Sequence, residues 1–481
     1  MSDLLAKIVA QPEQPFALLY RPDVSTEKLE VLQLLRGETH SLQEALSTKF
    51  TDSHEKLILV PFCQVARRGY QAVDDKTPIL NMPVISRQWV PLPQALNLLP
   101  NTPIIVRDTH FNLDDIQFGQ RVKNLVTHEI GEGLGSNFVL HRKLHTRLVD
   151  YHSAQLFSLY RRLLQTEVSA YWCFLISTGE QAFVGASPEL QVSLRDGEVC
   201  MNPISGTFKY PKQGLMIDQL RQFLNNLKEI NELHMVVDEE LKVMSKLCAL
   251  GAQVSDLHLK QLSQIIHTEY FLRGRTCFSV LDVLRETLPA PTVTGSPVQQ
   301  ACEVIARYEP EGRRYYSGVV ALVDNSLESS KLDSAICIRT AEISADGKVE
   351  IGVGATIVRD SEPEKEAEET RIKAQALYTA LTQDSTLLAD KKTEVVPISE
   401  DLNNHRLIQP VLVRRNNNIS QFWLANPQQR YQRQYPFAHK KILILDGNDT
   451  FTAMLQTLFS ALGALLMLKR SRAGSICKDG T

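Results

Sequence analysis

No stretch of this 481-residue chain approaches the roughly 20 consecutive apolar residues that cross a bilayer. The opening residues, Met1-Ser-Asp-Leu-Leu-Ala-Lys-Ile-Val-Ala10, carry an early acid and no long apolar run, unlike a secretory leader or an anchor. Positive charge is not in excess. At a net charge of −3, neither a nucleic-acid face nor a polybasic patch is expected, so neither nucleic acid nor membrane is a candidate partner. Paired cysteine motifs are missing as well. The eight cysteines (Cys63, Cys173, Cys200, Cys248, Cys277, Cys302, Cys337 and Cys477) form no CxxC pair and no Cys/His zinc spacing. They read as buried or incidental thiols of a reducing compartment, and a cytoplasmic location is expected. No internal repeat is visible.

What is present suits a soluble protein with a sizeable core: 43% hydrophobic and 22% charged residues, in a length that allows two or three domains. Short apolar runs read as strands: Phe16 to Tyr20, Leu57 to Pro61, Phe138 to Leu140, Trp172 to Ser177, Leu190 to Leu194, Val319 to Val323, Ala335 to Arg339 and Val349 to Val353. Helical patterns run over 115–128, 148–164, 217–247 (with a break near Glu229) and 362–383. Strands in close succession joined by tight turns point to antiparallel sheets with flanking helices, an α+β fold. Composition changes after about Asp390. We divide the chain into a large first domain at 1–395 (an N-terminal region at 1–110 and a core at 111–385), a polar linker at 396–438 and a separate unit at 439–481 opened by the strand Lys441-Ile-Leu-Ile-Leu-Asp446.

Two acidic doublets carry the sharpest chemistry. Glu229 and Glu232 are three residues apart, as are Glu366 and Glu369, so each pair shares one helix face. Two such faces opposite one another would gather up to four carboxylates, a donor set suited to a hard divalent cation such as Mg2+. Taken alone, each doublet reads more simply as a solvated helix face.

The doublets have company. In order along the chain stand Ser187-Pro-Glu189, Pro203-Ile-Ser-Gly-Thr207, Lys228 to Asp238, Ile266-His-Thr268, Thr294-Gly-Ser-Pro297, Tyr316-Ser-Gly318, Ile338-Arg-Thr340, Gly352-Val-Gly354 and Ser361 to Glu369. From about Val122 to Leu381 the chain resembles the chorismate-utilising family: anthranilate synthase large subunits and aminodeoxychorismate, isochorismate and salicylate synthases. The resemblance implies that family's α+β fold, two antiparallel β-sheets in a sandwich flanked by helices, with Mg2+ as cofactor and chorismate as substrate. It implies Glu189 as the acid that protonates the departing ring hydroxyl, with Thr207 and His267 beside the reacting groups. It implies Arg339 on the enolpyruvyl carboxylate, assisted by Tyr316 and Lys373, and close approach of the backbone at Gly352 and Gly354. The metal would take ligands from Glu229, Glu232, Glu366 and Glu369.

Two departures narrow the expectation. Asn137 stands where water-activating relatives carry lysine, and an amide cannot act as a base, so ammonia is favoured as nucleophile. Met235 to Lys242, with 131–142 and Thr294 to Val298, resembles most the branch serving phenazine pathways, whose product is 2-amino-2-deoxyisochorismate. Full anthranilate synthase chemistry, with loss of pyruvate, is the second reading, and a catalytically inactive remnant is the rival of another class. The segment Ala17-Leu-Leu-Tyr-Arg21 lacks the LLES-like motif of tryptophan-inhibited relatives, so no tryptophan feedback is expected.

Ile442 to Thr452 resembles the first strand and turn of a class I glutamine amidotransferase, followed by a helix over 453–464. The likeness stops there: a β-α stub is expected. No G-x-C-x-G elbow follows, and Cys477 lacks its setting. Ammonia is therefore expected from solution or from a separate glutaminase. A homodimer is carried as an open partner expectation.

Overall fold

A bent strand, Ile79–Pro91, joins two antiparallel sheets in the computed structural model, which describes residues 4–47, 54–211, 214–262, 265–326, 330–382, 401–430, 435–446 and 450–470. Its first half pairs with Glu55–Val60 (Leu57 opposite Met82), and its second half pairs with Lys28–Leu34 (Leu29 opposite Val90). Burial changes along it accordingly. Ile79 to Val84 are buried, while Ile85 to Trp89 alternate between exposed and half-buried. The register slips between Gln33 and Leu34, a bulge of the kind that lets a strand turn a corner.

From that strand the first sheet runs through Lys28–Leu34, Phe16–Tyr20, Trp172–Ser177, Gln181–Ser187, Thr340–Ser344, Lys348–Val358 and Asn137–Leu148 to Val106–Phe111. The second runs through Glu55–Val60, Val319–Asn325, Ser330–Ile336, Leu190–Arg195, Glu198–Met201 and Leu272–Arg275. Leu19, Leu32, Leu57, Leu80, Trp172, Phe174, Phe183 and Leu322 pack in one buried cluster drawn from both sheets. Helices Ala154–Thr166 and Pro363–Thr382 contribute to the cluster on the first sheet, and Leu227–Leu247 and Val280–Glu286 to that on the second. A small sheet of Ile204–Lys209, Ile265–Glu269 and His258–Gln261 stands apart. The α+β sandwich of antiparallel sheets flanked by helices is the observed architecture. Among the described residues no helix is long and apolar enough to cross a membrane.

Four local expectations shift. The helix expected from Leu148 begins at Ala154, because Asn137–Leu148 is a strand whose pairing with Lys348–Val358 extends to Arg147 opposite Lys348. The long helical stretch is two helices, Ile217–Leu224 and Leu227–Leu247, divided at Asn225 and Asn226 rather than near Glu229. The Asn226 side chain accepts from the Lys228 N–H, a cap that starts the second helix and leaves Glu229 in its first turn. The strand expected to reach Arg339 ends at Ile336. Finally, residues 401–430, within the span read as linker, are docked. Leu402, Ile408, Val411, Leu412, Ile419 and Trp423 are buried in the cluster that holds Leu233, Leu241 and Met244 of helix Leu227–Leu247. Arg430 donates to the carbonyls of Ala252 (2.7 Å), Ala425 (2.9 Å) and Trp423 (3.1 Å). Polar composition hid these apolar contacts.

Toward the C-terminus, Lys441–Asp446, helix Phe451–Ala461 and Leu465–Arg470 form a strand–helix–strand unit whose two strands pair in parallel. The second strand was not expected. Gly447 to Asp449 of the amidotransferase-like turn, the tail from Ser471 and Cys477 lie outside the described residues.

Candidate active site

The chain crosses from the first sheet to the second between Gln181–Ser187 and Leu190–Arg195, and Glu189 lies in that crossing. Its carbonyl accepts from the Ile336 N–H (3.2 Å), and the residue is 4% exposed. Among the described residues Oε1 has no hydrogen-bond partner. Burial drives its pKa up to about 8, against the pull of Thr292 and the Ile204 backbone. Glu189 is thus a carboxylic acid at neutral pH.

It opens onto a cavity lined by the first sheet, the small sheet, two helices and the connecting segments that carry Glu189, Tyr316 and Arg339. Ten of the thirteen expected residues line it: Glu189, Thr207, His267, Tyr316, Arg339, Gly352, Gly354, Lys373, Glu232 and Glu369. The His267 ring bonds through Nδ1 to the Gly206 carbonyl (2.6 Å). A carbonyl only accepts, so Nδ1 holds the proton and Nε2 is left as an acceptor. Burial, with Arg339 nearby, lowers its pKa to about 3 and keeps the ring neutral.

Arg339 sits at φ 52°, a left-handed conformation rarely held by a residue with a side chain. Its carbonyl accepts from the Ala186 N–H (3.1 Å), which ties this turn to the strand before Glu189. Among the described residues its guanidinium makes no hydrogen bond and no ion pair. Burial lowers its pKa. A planar cation left unpaired in a cavity is a site for an anionic group. Lys373 is already engaged, with Glu369 (2.6 Å) and with the Gly354 carbonyl (2.8 Å).

The Tyr316 ring forms one wall. It stacks on His141 with centroids 4.6 Å apart. His141 is in turn held by Glu309 (3.3 Å), and Glu309 by Arg313 (2.6 Å). Arg313 overcomes burial to hold the Glu309 carboxyl at about 2. This buried support was not anticipated; nothing in the spacing of His141, Glu309 and Arg313 signals it. It also gives the glycines a reason besides substrate approach. A Cβ on Gly352 would lie 2.6 Å from the Tyr316 ring, and one on Gly354 2.5 Å from its hydroxyl oxygen.

The carboxylates approach from two helices. Glu232 and Glu369 line the cavity; Glu229 and Glu366 stand one turn back and do not. Ser205 Oγ donates to Glu232 Oε1 (2.7 Å). Lys228 Nζ lies 3.1 Å from Glu232 Oε2 and 3.4 Å from Glu229 Oε1. Burial, then the charge of Glu232, lifts Glu229 to about 7; burial, then Glu369, lifts Glu366 to about 7. Among the described residues Glu366 Oε2 is buried without a partner, and no three His, Cys, Asp or Glu side chains close on a common metal position. With all four groups ionised, as a bound cation would require, the carboxylates set against the ammonium groups of Lys228 and Lys373 would leave two negative charges, matched by one divalent cation. The donor set fits Mg2+ in kind and in charge, although mutual repulsion and Lys228 keep the carboxylates from converging as the spacing suggested. Asn137 does not reach the cavity. It opens its strand opposite Val358 and Ser296, and Val139, two residues on, lines the wall instead.

Residues 75–379 match the model of the chorismate-binding enzymes. The chain belongs to that family. It is 43% identical over 99% of its length to the phenazine-specific anthranilate synthase of Pseudomonas fluorescens, covering 74% of that protein. It is 42% identical over 96% of its length to that of Pseudomonas chlororaphis, covering 71%. Among solved structures, the menaquinone-specific isochorismate synthase of Escherichia coli superposes with a TM-score of 0.60 at 22% identity, covering 79% of this chain and 91% of that one. Anthranilate synthase component I of Streptococcus pneumoniae TIGR4 gives 0.57 at 20%, covering 75% and 89%. At those identities the likeness is one of fold.

Proposed function

We propose that the enzyme aminates chorismate with ammonia to give 2-amino-2-deoxyisochorismate, in phenazine-type metabolism. The observation that carries this reading is Glu189: a buried acid, protonated at neutral pH, on the wall of a cavity that also holds an unpaired arginine. Ammonia forms the C–N bond at ring carbon 2, the ring double bond shifts, and the C–O bond at carbon 4 breaks. Hydroxide is a poor leaving group; the Glu189 proton lets it leave as water. The new ammonium group then loses a proton, which balances the one given. Arg339 fixes the enolpyruvyl carboxylate, with Tyr316 as wall and the Lys373–Glu369 pair beside it. Thr207 supplies a hydroxyl at the ring, and neutral His267 presents Nε2 to the cavity. Glu229, Glu232, Glu366 and Glu369 would hold Mg2+, which when bound anchors the ring carboxylate and offsets negative charge there. The phenazine-specific relatives, matched over nearly the whole chain, support the phenazine setting, and the choice of this product over anthranilate rests on the resemblance of Met235 to Lys242 to the phenazine branch. Ammonia comes from solution or from a separate glutaminase, with the C-terminal strand–helix–strand unit read as the start of an amidotransferase-type fold.

Product analysis with chorismate, MgCl2 and an ammonium salt tests the reading. A new aminated, non-fluorescent product without pyruvate is expected. Fluorescent anthranilate with one equivalent of pyruvate would replace it by the anthranilate synthase reading, and no turnover would favour the inactive remnant. The rate also has a pH signature. Glu189 acts in its protonated form, so kcat/KM for chorismate at fixed free ammonia should be level below about pH 8 and fall about tenfold per pH unit above it. A rate that keeps rising to pH 9.5 would remove Glu189 from the role.

A further inference from the structure

The amination chemistry leaves Lys228 without a task, yet its ammonium stands in the carboxylate cluster. Burial pulls its pKa down, and the charges of Glu232, Glu229, Glu366 and Glu369 together push it well above the usual lysine range. Two of those partners belong to its own helix at one and four residues' distance; the other two act from helix Pro363–Thr382. Glu369 is likewise occupied, by Lys373 at 2.6 Å. Both carboxylates that line the cavity therefore already face a protein cation. A divalent ion that takes Glu229 and Glu232 must share them with an ammonium a few ångströms away.

We propose that Lys228 is an internal counter-ion that competes with the divalent cation for Glu229 and Glu232, so that the metal is held weakly until the substrate's own carboxylate joins the site. The inference rests on the metal-binding step of the proposed function. A lysine tethered within the same helical turn is a competitor that dilution cannot remove. Its compact charge opposes the incoming ion in a half-buried site, where screening by water is far weaker than at an open surface. The arriving ring carboxylate adds negative charge and a ligand, and tips the balance. Metal retention then follows substrate binding instead of preceding it.

Manganese(II), followed by electron paramagnetic resonance in the absence of chorismate, reads this directly. K228Q should bind Mn2+ at least about tenfold tighter than the wild type, and K228R close to the wild type. Metal-free K228Q should melt lower, and Mg2+ should raise its Tm by more than it raises that of the wild type. Equal or weaker Mn2+ binding by K228Q would overturn the proposal and make Lys228 a residue that holds the carboxylates in place. If K228Q folds only with metal, folding restored by Mg2+ supports the proposal, and folding that Mg2+ does not restore counts against it. The Mn2+ measurement needs no turnover. A wild type that binds Mn2+ without aminating chorismate would sink the proposed function and leave this inference standing.

Discussion

Glu189→Gln is expected to lower amination by about a thousandfold or more while leaving fold and metal binding intact. The asymmetry follows from the protonation state. Burial keeps Glu189 neutral near pH 7, so glutamine replaces a neutral group by a neutral group of the same shape, and no buried charge is created or lost. Its Oε1 has no hydrogen-bond partner among the described residues, so no bond to that oxygen is broken. Only the transferable proton disappears. Thermal melting and Mn2+ affinity within error of the wild type, with turnover nearly abolished, is the expected pattern. Retention of more than a tenth of the rate would mean that another group protonates the leaving hydroxyl. Glu240 is the residue to examine then: it is buried on helix Leu227–Leu247, and that burial, which does not depend on Glu189, raises its pKa.

Gly352→Ala should cost at least about a hundredfold in kcat/KM through one methyl group. The added Cβ would sit 2.6 Å from two ring atoms of Tyr316, well inside contact distance. The ring has nowhere to retreat. His141 is stacked behind it and is pinned by Glu309, itself locked to Arg313. Nor can the strand move, since Gly352 pairs with Lys143 in the interior of the long ladder between Lys348–Val358 and Asn137–Leu148. The methyl must therefore push the ring into the cavity or break the His141–Glu309 contact. A second change separates these effects. Tyr316→Ala in the Gly352→Ala background should recover most of the lost Tm without recovering activity, because it removes the clash and the wall together. Activity that survives Gly352→Ala would show that the wall yields more easily than its packing implies.

The pattern of legibility has physical causes. Glu229/Glu232 and Glu366/Glu369 were readable because helical period fixes which residues share a face, whatever covers them. The order of the motifs brought most of the expected residues to one cavity. What spacing could not convey is who stands opposite. Lys228 was visible as a letter beside Glu229, but its hold on two carboxylates depends on a cap at Asn226 that sets the helix start. The neutrality of Glu189 depends on the crossing between two sheets. The His141–Glu309–Arg313 support joins residues about 170 positions apart. Residues 401–430 read as a tether because polar letters dominate, while the apolar ones that dock are sparse and irregular. Asn137 was placed by analogy of sequence position and does not reach the cavity.

The strand shared between the two sheets also dictates an order of events at the ribosome. Glu55–Val60 gains one neighbour, Ile79–Pro91, almost as soon as both are made, but its other edge waits for Val319–Asn325. At roughly 5–20 residues per second that wait lasts on the order of tens of seconds. Through it, the run Leu57-Ile-Leu-Val60, buried in the finished protein, presents an open apolar edge of the kind that recruits other chains. The yield of soluble enzyme should therefore depend on how quickly the message between those two partner strands, residues 92–325, is translated and on which chaperones meet the chain meanwhile.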